Sequence, residues 1–103
     1  MTKRFKAKQK KDLLVDIVNE LLSAQNERRF YHLISQRARD GTGKTYQNRE
    51  KLLPEGGRYE EFEVNGPEDR RRIVIEMDTG NLYVTWDHYR TMHYAGKPEF
   101  MNS

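Results

Sequence analysis

The sequence predicts an α+β fold, in which N-terminal helices pack on one face of an antiparallel, roughly four-stranded twisted sheet. Two observations carry this prediction. Apolar residues in the first part of the chain recur with the period of a helix, whereas in the second part they alternate with polar residues as in strands. Helices followed by a run of strands are typical of this fold class.

The helical part is predicted from the spacing of its apolar residues. Between Asp12 and Gln25 they recur at steps of three and four, and therefore share one side of a helix: Leu14, Ile17, Val18, Leu21 and Leu22. A second, shorter helix is predicted over Arg28–Gln36. The turn-forming residues Asp40–Gly43 end it.

The sheet part is predicted from segments rich in β-branched and aromatic residues and separated by turn residues. Four strands are expected: Arg58–Asn65, Arg71–Met77, Leu82–Trp86 and His88–Tyr94. Alternation sorts the side chains of each strand between two faces, so that Phe62 separates from Glu61, and Ile73 from Arg72. The face with the polar residues is either a functional surface or simply solvated.

Length and charge define one domain with a distinct N-terminal segment. The 103 residues suffice for a single core, and we expect one domain over 12–103, with a helical part at about 12–40 and a sheet part at about 45–95. Residues 1–11 carry six basic and no acidic side chains, so the rest of the chain is net negative although the total is +3. This basic segment is predicted to be a flexible tail, serving as a linker or as an arm that grips phosphate.

Several classes of protein are excluded by what the sequence lacks. There is no cysteine, so neither disulfides nor a cysteine-ligated zinc ion hold the fold together. Apolar stretches are interrupted by charges, which predicts no membrane span, and no signal peptide is visible.

Side chains of the predicted strands suit the cleavage of RNA without a metal. That reaction needs a base, an acid and cations around the phosphate. Glu61, His88 and the cluster Arg70–Arg72 supply these groups, and they lie on different strands or strand edges that a sheet can bring together. Glu60 and Glu63 flank Glu61, so the carboxylate type alone does not single it out.

Four motifs in order resemble one family, the barnase-like, guanyl-preferring bacterial ribonucleases. The loop Tyr46-Gln47-Asn48-Arg49-Glu50-Lys51-Leu52-Leu53-Pro54 is similar to the guanine-binding loop of that family. Three further segments resemble the strands of its catalytic glutamate and phosphate-binding arginine and its Asp-His-Tyr segment: Arg58–Val64, Arg71–Val74 and Thr85–Met92. The resemblance covers roughly the C-terminal half of the chain.

The resemblance implies a catalytic role for several residues. Glu61 would be the general base, His88 the general acid and Arg72 a ligand of the scissile phosphate, with Tyr89 lining the phosphate or base side. The product would be a 2′,3′-cyclic phosphate, which is hydrolysed later with the roles of Glu61 and His88 reversed. No cofactor and no metal are implied.

The resemblance also implies how guanine binds. Glu50 would accept hydrogen bonds from guanine N1–H and the exocyclic amine, and Tyr46 would offer a stacking surface. The segment that includes Gln47 would supply main-chain amides near Asn48 and Arg49 for O6. Arg49 is equally suited to bracing the loop and to touching the base.

The sequence departs from the family pattern at the cations. A second phosphate-binding arginine is expected four residues before Arg72, but Glu68 occupies that position. Arg70 or Arg71 is the candidate substitute. Strand alternation favours Arg70, because it shares a face with Arg72, whereas Arg71 is expected to point with Ile73. The family's helical lysine has no clear counterpart.

Three hypotheses follow for the whole chain. The first is a secreted endoribonuclease acting on RNA, with the role of an antibacterial toxin held in check by a small acidic, barstar-like inhibitor. The second, motivated by Glu68, is a catalytically impaired RNA-binding module on the same scaffold. The third is a structural or protein-interaction domain whose basic tail is only a linker. A monomer is the expected state.

Overall fold

The structure of the chain, a computed structural model, describes residues 13–37, 44–66 and 68–101. Two features named above lie outside the described residues: the basic segment 1–11 and the turn residues Asp40–Gly43. The expectations for those features therefore remain expectations.

Two helices form where the apolar period predicts them. Helix α1 spans Leu13–Leu22 and α2 spans Glu27–Arg37, and all five apolar residues predicted for the inner side of α1 are buried. The side chain of Asn26 caps the start of α2, because its Oδ1 accepts a hydrogen bond of 2.8 Å from the backbone N–H of Arg29. In the described part of the chain, neither helix has the length and apolar character that crossing a membrane requires.

A five-stranded antiparallel sheet follows the helices, with its strands adjacent in chain order. The strands are β1 Lys44–Tyr46, β2 Tyr59–Glu63, β3 Arg72–Glu76, β4 Leu82–Thr85 and β5 His93–Gly96. The predicted α+β class and the antiparallel sheet are confirmed, but the sheet has one strand more than the four expected.

Two of the strand predictions need correction. Strand β1 is not predicted by the sequence pattern, because three residues are too few to show an alternation; it forms by pairing with β2, with Tyr46 opposite Tyr59. The predicted strand His88–Tyr94 is also wrong. Its first five residues belong to a loop, and β5 begins only at His93.

The sheet separates two clusters of buried side chains. On one face the two helices cover a core to which the sheet contributes Phe62, Ile73, Ile75, Leu82, Val84 and Ala95, and Val64, which follows β2, joins them. The opposite face carries a smaller cluster of Tyr46, Leu53, Tyr59 and Val74, against which Tyr83, Tyr89 and Met92 pack. We call this second side the tyrosine face. It is packed rather than simply solvated, and it carries Glu61 and Arg72.

The turn between β3 and β4 depends on a glycine. Gly80 has a φ of +80°, and a Cβ at this position would clash with the sulfur of Met101. Both facts exclude a larger residue without rearrangement. A glycine therefore suits this turn, in which the chain passes from β3 to β4.

Candidate active site

Glu61 and Arg72 lie on neighbouring strands of the tyrosine face. Glu61 is opposite Val74, and Arg72 is opposite Glu63 and Thr85. Arg72 is only 6% exposed. Its Nη1 donates hydrogen bonds to the backbone carbonyls of Asp69 and, at 2.7 Å, of Arg71. The guanidinium is therefore held in a defined position at the start of β3, on the strand next to the half-buried Glu61.

The loop 86–92, between β4 and β5, is closed by the carboxylate of Asp87. Its Oδ1 accepts hydrogen bonds from Thr85 Oγ1 at 2.8 Å and from the backbone N–H of Thr91 at 3.0 Å. Its Oδ2 accepts one from Thr91 Oγ1 at 2.8 Å. These bonds, the Thr91 N–H first, hold the pKa of Asp87 far below its usual value.

Within this loop two consecutive residues have left-handed backbone conformations. The φ angles of His88 and Tyr89 are 53° and 72°, which residues other than glycine rarely adopt. Two hydrogen bonds fix them. The N–H of Tyr89 donates to Thr85 Oγ1 at 3.1 Å, and that of His88 to the carbonyl of Arg70 at 3.0 Å. This reversal of the backbone is why the strand predicted to start at His88 does not form.

Tyr89 joins the parts of the site. Its hydroxyl donates a hydrogen bond of 2.9 Å to Glu61 Oε2. Its ring stacks on Tyr46, with 4.9 Å between centroids and 24° between planes, and lies 5.2 Å from the imidazole of His88. Burial, followed by the nearby charge of Glu61, raises the pKa of Tyr89 well above its usual value. The phenol therefore remains protonated and can donate to Glu61.

The loop 47–53, after β1, is shaped by Asn48. The residue has a φ of 55°. Its side-chain amide forms two hydrogen bonds with the backbone of Leu53: Nδ2 donates to the carbonyl at 2.8 Å, and Oδ1 accepts from the N–H at 3.1 Å. Because both ends of the amide are used, this side chain holds the loop, and Leu53 is anchored in the tyrosine face.

Other residues of the same loop are arranged around Tyr46. The Tyr46 hydroxyl donates to Glu50 Oε1 at 3.0 Å, while Arg49 Nε donates to Gln47 Oε1 at 3.0 Å. Burial, then the hydrogen bond to Glu50, raises the pKa of Tyr46 above its usual value. Arg49 thus makes the loop-bracing contact that is one of its two expected roles. Tyr46 is buried, with Tyr89 stacked on its ring.

The cations differ from one another in their surroundings. Arg71 is bound to Asp69, whose Oδ2 lies 2.6 Å from Arg71 Nη2, and this pair lowers the pKa of Asp69 to about 2. Arg70 is exposed, and its backbone carbonyl accepts the hydrogen bond from the N–H of His88. Strand β3 begins at Arg72, so Arg70 and Arg71 precede the strand and do not follow its alternation between two faces. Glu68 is exposed.

The arrangement brings together a carboxylate, an imidazole and guanidinium groups on one side of a sheet. The carboxylate and the imidazole are linked through a single tyrosine, and the loop with Glu50 is linked to the same tyrosine by ring stacking. Such groups can transfer protons to and from a substrate whose negative charge the arginines attract. Residues 13–37, 44–66 and 68–101 contain no cluster of three or more His, Asp or Glu side chains suited to hold a metal ion.

The fold and the comparisons with known proteins define a ribonuclease. The family model of ribonucleases matches residues 7–96. The chain therefore belongs to the microbial ribonuclease family, as its four motifs imply, and RNA is the substrate of this endoribonuclease.

One solved structure supports the same assignment at the level of the fold and the sequence. The crystal structure of ribonuclease Sa2 with guanosine-2′-cyclophosphate is 29% identical, covers 78% of this chain and 93% of its own, and has a TM-score of 0.51. Among curated protein sequences, none matches the chain.

The residues that shape the His88 loop are not identified by sequence reasoning. Thr85, Asp87 and Thr91 stand out in the sequence only as part of a resembling segment, although their hydrogen bonds determine where His88 and Tyr89 lie. A signal is present in the sequence, since aspartate and threonine side chains commonly bond to nearby backbone groups in turns. The same stretch also fits a strand pattern, and the prediction of a strand over His88–Tyr94 takes no account of these turn contacts.

The Asp87 network predicts a pH-dependent contribution to stability. Asp87→Asn should lower the free energy of unfolding near neutral pH, because the neutral amide accepts these hydrogen bonds less strongly. The folded-state pKa of Asp87 is depressed, so its contribution is complete above the unfolded pKa and is lost as the pH falls below about 4. Urea unfolding of both proteins across this range measures the effect.

The matched control for this prediction is Asp78→Asn. Asp78 is an exposed aspartate, 3.4 Å from Arg58, and replacing it should change stability by no more than about 0.5 kcal/mol. A difference between wild type and Asp87→Asn that stays constant from neutral to acid pH contradicts the assigned role of the Asp87 charge.

Proposed function

We propose that this protein cleaves single-stranded RNA on the 3′ side of guanosine by metal-independent transesterification. The observation that carries the proposal is the position of Tyr89, which contacts Glu61 through its hydroxyl and His88 through its ring. A carboxylate and an imidazole that both lie beside one side chain can serve one substrate as base and acid.

In the first step Glu61 removes the proton from the ribose 2′-hydroxyl. The 2′-oxygen attacks the adjacent phosphorus, the bond from phosphorus to the 5′-oxygen of the next nucleotide breaks, and His88 protonates that oxygen. The product carries a 2′,3′-cyclic phosphate. In the second step water attacks this phosphate, His88 takes the proton from water, and Glu61 protonates the departing 2′-oxygen.

Arg72 and Arg70 are the cations proposed for the phosphate. The guanidinium of Arg72 is fixed by backbone carbonyls on the strand beside Glu61, whereas Arg70 is exposed and its carbonyl binds the backbone of His88. A positive charge placed in advance where negative charge develops stabilises the transition state. Arg71 is less suitable, because Asp69 already binds its guanidinium.

Guanine is proposed to bind at the loop 47–53. Glu50 accepts from N1–H and the exocyclic amine, the main-chain amides near Asn48 and Arg49 donate to O6, and Gln47 and Tyr46 complete the site. Ribonuclease Sa2, the similar protein described above, was crystallised with guanosine-2′-cyclophosphate. Because the Tyr46 ring is stacked on Tyr89, a base that stacks on that side of Tyr46 has to displace Tyr89.

The biological setting is inferred from the family alone. We propose a secreted monomer that can act as an antibacterial toxin and that a small acidic, barstar-like inhibitor neutralises. A surface presenting Arg49, Arg70, Arg72 and His88 is complementary to clustered carboxylates. One observation favours a second candidate, an RNA-binding module with impaired catalysis: an exposed Glu68 where the family pattern has an arginine.

The first test is cleavage of guanosine-containing RNA in the presence of a metal chelator. Wild type should cut after guanosine and leave a 2′,3′-cyclic phosphate. Glu61→Gln and His88→Ala should each reduce the rate by about 100- to 10,000-fold, since each removes a proton-transfer group. Product analysis by gel and mass spectrometry measures both the position and the chemistry of cleavage.

Matched controls are available for both variants. Glu60→Gln alters the carboxylate next to Glu61 on the same strand, and Glu60 is opposite Ile75. His93→Ala alters another exposed histidine. Both should cut nearly as fast as wild type. Intact RNA at high wild-type concentration, together with binding, supports the impaired module instead.

The second test concerns the choice of base. Glu50→Gln should reduce kcat/KM on guanosine substrates by about 10- to 100-fold, because hydrogen bonds to a charged acceptor are stronger than those to a neutral one. The ratio of guanosine to adenosine cleavage should fall with it. Glu55→Gln, another exposed loop carboxylate, is the control. An unchanged ratio removes Glu50 from base recognition.

The third test separates the two candidate arginines. Arg70→Ala should lower kcat by about 10- to 100-fold through loss of a charged hydrogen-bond donor at the phosphate. Arg71→Ala should act mainly on stability, because Arg71 binds Asp69. Single-turnover rates and urea unfolding of both variants distinguish these effects. The opposite result assigns the phosphate contact to Arg71.

A further inference from the structure

The fifth strand presents an aromatic ring to solvent. Tyr94 is 56% exposed, and it is the most exposed large hydrophobic side chain in the described part of the chain. The next residue along the strand differs in character, since Ala95 is buried in the helix-covered core. The Tyr94 ring is therefore accessible to a ligand.

The strand register places Tyr94 on the same face as the candidate catalytic residues. Glu61 is opposite Val74, Val74 is opposite Tyr83, and Tyr83 is opposite Tyr94. Directly opposite residues on paired strands point to the same side of a sheet. Tyr94 therefore lies three strands from Glu61, roughly 14 Å at the usual spacing of strands.

The Tyr94 ring is held in place before any ligand binds. Its hydroxyl donates to Asn81 Oδ1 at 3.2 Å, and its ring lies 5.5 Å from that of Tyr83. Asn81 Nδ2 in turn donates to Glu76 Oε1 at 3.0 Å. A ring fixed in this way loses little conformational entropy when a flat group stacks on it.

The tyrosine contacts continue from this exposed ring to the candidate guanine loop. Tyr83 lies 6.3 Å from Tyr59, and Tyr59 lies 6.4 Å from Tyr46, the residue that stacks on Tyr89. Within this row of described tyrosines, the Tyr94 end is the broadly exposed one. The ring contacts thus run from the exposed Tyr94, through the buried Tyr59, to Tyr46 in the proposed RNA site.

We propose that Tyr94, supported by Tyr83, binds an unpaired base of the substrate downstream of the cleaved bond, at the second nucleotide on its 3′ side. This inference rests on the proposed function. The guanine loop follows β1, on one side of Glu61, whereas Tyr94 lies on β5, on the other side. A strand of RNA with its guanosine at β1 and its scissile phosphate at Glu61 continues toward β5.

The chemistry around Tyr94 favours a base over a phosphate. Every nucleobase has a flat face that stacks on tyrosine, and the nearby carboxylate of Glu76, bonded to Thr79 and Asn81, repels a phosphate. The subsite is therefore expected to accept any base, and its contribution to binding is expected to depend little on salt.

The experiment measures binding of oligonucleotides that cannot be cleaved, because deoxyguanosine at the cleavage position lacks the 2′-hydroxyl. Deoxyguanosine followed by one, two or three ribonucleotides is titrated against wild type, Tyr94→Ala, Tyr94→Phe and Leu13→Ala. Wild type should bind more tightly when the second downstream nucleotide is present. Tyr94→Ala should lose that gain, about 5- to 100-fold in Kd, whereas Tyr94→Phe and the helix control Leu13→Ala should keep most of it.

Other results overturn the proposal. These are an equal gain in Tyr94→Ala and wild type, a gain produced only by nucleotides added on the 5′ side, or an equal loss in Tyr94→Ala at every length. The all-ribose versions of the same oligonucleotides test cleavage separately. If they remain intact while the Tyr94-dependent gain in binding persists, the proposed catalytic function fails and the aromatic subsite stands.

Discussion

The candidate site depends on the hydrogen bonds that Asp87 accepts from Thr85 and Thr91. They hold a loop in which His88 and Tyr89 both have positive φ angles, a conformation that is unfavourable without such support. The reversal leaves His88 exposed to solvent and turns Tyr89 back over the sheet, where its hydroxyl reaches Glu61. Asp87 thus determines the surroundings of Glu61 indirectly, through the position of Tyr89.

Tyr89 also couples the two loops that carry the candidate functional groups. Its ring stacks on Tyr46, and the Tyr46 hydroxyl bonds to Glu50, the carboxylate proposed to recognise guanine. Both proposed functional carboxylates are consequently hydrogen-bonded by buried or half-buried phenols that remain protonated, because their pKa values are raised. A nucleobase that enters between the two tyrosines has to rearrange both contacts, so its binding would also shift Glu61, the proposed general base.

The sheet divides stability and function between its faces. The helix-covered face is lined by aliphatic side chains and Phe62 and buries the apolar stripe of α1. The other face uses tyrosines, which fill space with their rings while their hydroxyls bond to carboxylates or carbonyls, as Tyr59 does with Pro54 at 2.6 Å. Glu61 and Arg72 therefore lie among packed rings and keep polar partners. Tyr94 on the last strand, β5, belongs to the same face and exposes its ring to solvent.

The sequence by itself determined the fold class, both helices, the three central strands and the sorting of their side chains, because helical and strand periods are local properties. It also singled out Glu61, His88 and Arg72, through motifs rather than through alternation. Only the tertiary structure decided that β1 exists, that His88 lies in a loop, and that Arg71 is bound by Asp69 while Arg70 is exposed beside His88. Those outcomes depend on pairing with a distant strand and on hydrogen bonds between side chains and backbone, and neither leaves a periodic pattern in the sequence.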